Sequence, residues 1–180
     1  MGRGNGLKTS RRWILDVHGL NRRGWSLLRD AARLDVRLAA QQFGVSKRLL
    51  HRVARLPNAS IRLLSAMPVA QFVPADRTSL VAFLSDPGHQ PPAIGQRDLR
   101  TGEHEFNLHY WHCMRAQAEQ DLVLTSIQFH VQRALLRQLV ETSIDRIDTL
   151  VLDLRPEFRV LDVQSIEVAA MLIEAEASDR

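Results

Sequence analysis

From Ser26 onward, Leu27, Leu28, Ala31, Leu34, Leu38 and Phe43 recur at helical spacing, and Gly44 supplies the left-handed residue on which such a helix can end. Ser46 reads as the N-cap of a second helix that turns Leu49, Leu50 and Val53 inward. After Pro57 and Asn58 a third helix carries Ile61, Leu64 and Met67 as far as Pro68. Val69–Val73 is expected to be extended up to Pro74, and Asp76 caps a fourth helix running through Leu84. The same plan follows downstream. A long helix is expected over Glu105–Phe129, others over Gln132–Val140 and Ile144–Leu154, an extended piece over Glu157–Leu161 and a last helix after Asp162, with Thr142 or Ser143 and Asp162 as caps. The expected fold class is all-α, with a helix-turn-helix-like hairpin in each half and only short extended pieces.

The recurrence is in the residues as well as in the pattern. Residues 21–84 align without a gap on 107–170 at a constant offset of 86, with identities that include Asn21/Asn107, Trp25/Trp111, Arg29/Arg115, Asp35/Asp121, Gln42/Gln128, Phe43/Phe129, Leu49/Leu135, Ile61/Ile147, Phe72/Phe158 and Asp76/Asp162. Two copies of one unit in a single chain are expected to pack as an internal pseudo-dimer. This divides the chain into a flexible basic arm (1–20), a first unit (21–85), a turn-rich linker (86–104) and a second unit (105–180). Trp25, Trp111, Asp121 and Gln128 are the candidate contacts of the pseudo-dimer or of a partner.

Charge separates the copies. Residues 1–90 hold 15 Lys and Arg against 5 Asp and Glu, whereas residues 91–180 hold 9 against 15. A strongly basic half points to phosphate, and an acidic half points away from it. Cys113 is the single cysteine, so no disulfide framework can form and a cytoplasmic location is expected. No apolar run of signal-peptide or membrane-spanning length is present, so no membrane association is expected.

The segment Ala40-Gln41-Gln42-Phe43-Gly44-Val45-Ser46-Lys47-Arg48-Leu49-Leu50 has the chemistry of a helix-turn-helix. Ala40 is small where the helices cross, Gly44 tolerates positive φ in the turn, and Val45, Leu50 and Val53 are apolar anchors. The outer face of the second helix would offer Ser46, Lys47, Arg48, His51, Arg52 and Arg55 to DNA, with Gln42 from the first helix and Arg11, Arg12, Arg22 and Arg23 ahead of it. In the second copy His130 stands for Gly44, Ser126 for Ala40, Ala134 for Arg48 and Glu141 for Arg55. The anchors persist while phosphate-seeking residues are lost, as expected of a copy kept for packing. The bland alternative is a plain helical hairpin with a solvated basic face.

Catalytic and metal chemistry are not expected. His104, His109, His112 and Cys113 invite a zinc reading, but only His109 and Cys113 share a helix face, and Cys113 aligns with Leu27. No Gly-rich phosphate loop, nucleophile elbow or paired-histidine motif occurs. No cofactor follows from the sequence.

Asn107-Leu108-His109-Tyr110, then Gln120-Asp121, Phe129-His130-Val131, Leu139, Leu150 and Phe158-Arg159, resemble the FlhD family of flagellar transcriptional regulators. The first copy keeps the turn as Phe43-Gly44-Val45 and keeps Asn21 and Asp35. The resemblance covers the chain as two tandem FlhD-like units. It implies a mainly helical fold, a homodimer built internally, and transcription activation with an FlhC-like partner subunit bearing a four-cysteine zinc site. It also implies that Asp35, Asp121, Gln42 and Gln128 lie in the region the family uses for DNA or partner contact. The expected function is therefore a DNA-binding transcriptional regulator. The alternative is an adaptor or anti-activator that binds a regulator without touching DNA. Assembly beyond the pseudo-dimer is left open.

Overall fold

A computed structural model describes residues 5–86, 101–154 and 156–178. Among these the chain is mostly helical. Helix α1 spans Asn5–Leu34, α2 Val36–Phe43, α3 Lys47–Arg55, α4 Asn58–Leu64 and α5 Arg77–Ser85, with strand β1 at Phe72–Pro74 between α4 and α5. The second half runs α6 Thr101–Ala118, α7 Leu122–Phe129, α8 Arg133–Glu141, α9 Ile144–Thr149 with a π-helical turn at Leu150–Leu154, β2 Phe158–Val160 and α10 Val163–Ser178. Helices α2, α3, α4 and α5 and strand β1 each begin 86 residues before α7, α8, α9, α10 and β2. The repeat in the sequence is thus a repeat of elements in register.

Three expectations give way. The long helices expected from Ser26 to Phe43 and from Glu105 to Phe129 are each broken, at Asp35 and at Asp121. Both carboxylates are N-caps: Asp35 Oδ1 accepts from the amides of Arg37 and Leu38 at 2.8 and 2.9 Å, and Asp121 Oδ1 accepts from those of Val123 and Leu124 at 2.9 Å. A carboxylate that binds the free amides of the next turn stabilises a new helix start there. The basic arm expected over residues 1–20 is helical from Asn5. Val17, Leu20, Asn21, Gly24, Trp25, Leu28 and Ala32 form a buried stripe at helical spacing that carries α1 back past Ser26. Of the expected linker, residues 87–100 lie outside the described residues, and Thr101 onward is already α6.

The chain forms two compact units whose boundaries differ from those of the repeats. The first holds residues up to Val73 together with those from Phe158 onward, so α1–α4 pack with β2 and α10. The second is Pro74–Glu157 and holds α5 with α6–α9. Each repeat therefore gives its last helix to a unit built mainly from the other repeat.

In the first unit Trp25 and Phe72 meet edge to face at 5.2 Å, Phe43 lies 6.3 Å from Phe72, and Trp25 Nε1 donates to Gln71 Oε1 at 2.8 Å. Phe72 also lies directly over Gly24, where a Cβ would collide with the ring. Asn21 is buried and clamps the segment before β1, donating to Val69 O at 2.9 Å and accepting from Gln71 N at 2.8 Å. Leu161 N donates to Gln71 O at 2.7 Å, tying β2 to this segment. Helix α10 lies on α3 and α4 and buries Ile166 and Ala170.

In the second unit Tyr110 takes the position of Gly24 and packs edge to face on Trp111 and Phe129, both at 5.4 Å. Helix α5 is held by Arg146, whose guanidinium donates to Phe83 O and Asp86 O at 2.8 and 2.7 Å and stacks 4.0 Å over the Phe83 ring. No helix among the described residues is long and apolar enough to cross a membrane.

Candidate nucleic-acid interface

The hairpin of α2 and α3 is built by local chemistry. Gly44 ends α2 in the left-handed region at φ 64° and ψ 35°, and its N–H donates to Ala40 O. Two residues later Ser46 caps α3, with Oγ accepting from Leu49 N at 3.1 Å. Leu49, Leu50 and Val53 are buried, which fixes the rotation of α3. The far end is anchored to α1. Arg29 donates to Leu56 O at 3.3 Å and to Asn58 Oδ1 at 2.8 Å, and Arg33 Nε donates to Ala54 O at 2.9 Å. In the second copy Arg115 donates to Val140 O at 3.3 Å, the counterpart of the Ala54 carbonyl that Arg33 holds in the first.

With α3 so held, Ser46, Lys47, Arg48, His51 and Arg55 are exposed on one side of it, while Arg52 and Gln42 are half-buried. Lys47, Arg48 and Arg55 form no ion pair among the described residues, so their charge is available to solvent or to a ligand. Arg22 and Arg23 are exposed on α1 rather than on the hairpin. Arg11 and Arg12 also fall on α1, and their side chains lie outside those described.

Two residues that sequence reasoning did not place on this surface come from the second repeat. Arg159 alternates outward on β2 between buried Phe158 and Val160. Its stem lies over the turn, with Cδ 3.4 Å from where a Cβ on Gly44 would be. Glu167 on α10 accepts from Ser46 Oγ at 2.6 Å. Arg159 entered the sequence reading only as half of the Phe158-Arg159 pair, with no DNA role, and Glu167, which aligns with Val81, gave no signal at all.

The second hairpin keeps the backbone of the first. His130 replaces Gly44 in the same left-handed region, at φ 52° and ψ 38°. The residue is exposed, yet partial desolvation of the ring, and secondarily the charge of Arg77, hold its imidazole below the ordinary value. Arg133, Ala134, Arg137 and Glu141 are exposed on α8, so the copy retains two arginines where only losses were expected. Val123 and Ile127 are 46% and 61% exposed on α7, giving it an apolar outer side where the first copy has Arg37 and Gln41.

The remaining site residues sit as follows. Trp25 and Trp111 are fully buried, Gln128 is buried on α7, and Asp121 is the cap of α7. Cys113 is half-buried, and His112 Nε2 lies 2.8 Å from Asp148 Oδ1. Among the described residues no three His, Cys, Asp or Glu side chains converge as a metal site would require. No family profile, curated protein or solved structure matches the chain.

Proposed function

We propose that this protein is a DNA-binding transcriptional regulator made of two tandem FlhD-like units that fold as an internal pseudo-dimer. Helix α3 of the first copy meets DNA, and the second copy serves packing and an FlhC-like partner subunit. The supporting observation is the exposed face of α3, where Lys47, Arg48 and Arg55 stand beside Ser46 and His51 without ion-pair partners, on a helix fixed by Arg29 and by buried Leu49, Leu50 and Val53. Unpaired cations on a rigid helix after a tight turn match what backbone phosphates require.

Changing Lys47, Arg48 and Arg55 together to Glu tests the reading. Arg52 is left in place because it is half-buried. The variant should lose retention of mixed-sequence duplex DNA in gel shifts while its helical circular dichroism stays unchanged and its stability falls by no more than about 1 kcal/mol, because Arg55→Glu places an acid in the last turn of α3. An acidic residue in the first turn of a helix is itself favourable, so Lys47→Glu does not threaten α3. Retention that survives the triple change contradicts the proposal.

One observation favours the alternative of an adaptor that never contacts DNA: the exposed apolar residues Val123 and Ile127 on α7. Under that reading the wild-type chain gives no shift, with or without a co-purified partner.

A further inference from the structure

The face of α3 is not the property of the first repeat alone. Within the first compact unit, β2 packs on α2, and α10 packs on α3 and α4. These two elements bring one cation and one anion to the hairpin. Arg159 is exposed, forms no ion pair among the described residues, and lays its methylene stem across Gly44. That position puts a guanidinium beside the turn, where the hairpin backbone is barest.

Glu167 sits at the start of α3. Its carboxylate accepts from the hydroxyl of Ser46, the cap residue, and α3 has no acidic residue of its own in its first turn. The first amides of a helix carry partial positive charge and attract phosphate. A carboxylate hydrogen-bonded to the cap repels a phosphate that approaches there.

We propose that the second repeat both extends and limits the phosphate-binding surface of the first hairpin, Arg159 adding a phosphate contact and Glu167 weakening the approach to α3. The inference rests on the DNA-binding reading above. It gives the duplication a use: a unit without β2 and α10 would lack both residues.

The two arms predict opposite signs, which a general structural disturbance would not produce. Binding of the full-length chain to mixed-sequence duplex DNA is measured across a salt series. Arg159→Gln keeps most of the stem over Gly44 and removes the charge, so the slope of log K against log salt should become shallower by about 0.9, the value of one phosphate contact. Arg159→Lys should restore the slope. Glu167→Gln keeps an acceptor for Ser46, and affinity at low salt should rise roughly threefold. An unchanged slope for Arg159→Gln, or unchanged or weaker binding for Glu167→Gln, overturns the inference while leaving the DNA-binding reading intact. A wild-type chain that DNA does not retain overturns both.

Discussion

His130 shows how one residue can carry the history of the duplication. The second hairpin keeps the left-handed turn that Gly44 makes without strain, yet fills it with a side chain. A Cβ in this region costs about 1 kcal/mol. His130→Gly should therefore raise the stability of the chain by roughly that amount in urea unfolding, and a loss would contradict the strain. The same residue sets a pH dependence. Folding lowers its proton affinity, so its contribution is fully present above the unfolded value of 6.5 and falls away as pH drops below it. The glycine variant should show a flatter acid limb just below that value. The turn was legible from Gly44 alone; that His130 would hold the same backbone was not, because positive φ is uncommon for any residue with a Cβ, even though histidine adopts it more often than most.

At the scale of elements, most helix starts and both strands were legible, because caps and prolines act locally. Ser46, Asp76, Ser143 and Asp162 cap helices where the sequence placed them. The resemblance put Asp35 and Asp121 in a region of DNA or partner contact, whereas each is a cap at which a new helix begins. The missed helix break had a physical cause: apolar spacing continues through Asp35 to Leu38 and Phe43, so periodicity alone sees one helix. Asp35→Ala should cost about 1 kcal/mol and loosen α2 against α3, measured by unfolding and by amide exchange at Arg37 and Leu38. Unaltered exchange at those two amides would show that the cap is dispensable. The start of α1 was missed for another reason. Its buried stripe includes Asn21 and Gly24, which hydropathy does not count as apolar.

At the scale of the whole molecule, the repeat was legible and the membership of each compact unit was not. Where α5 and α10 pack depends on contacts between residues far apart in sequence, such as Arg146 on Phe83 and Ser46 on Glu167, and neither pair is signalled by an identity across the repeat. The candidate surface followed the same division. Its α3 residues could be read from local pattern and charge, whereas Arg159 and Glu167 joined it only through the fold. Placing a photo-crosslinking amino acid at His51, exposed in the middle of α3, tests the central claim most directly, with the equivalent position Arg137 on α8 as control. Irradiation with duplex DNA should give a covalent adduct from position 51. No adduct there, or an adduct from position 137 alone, would contradict the account.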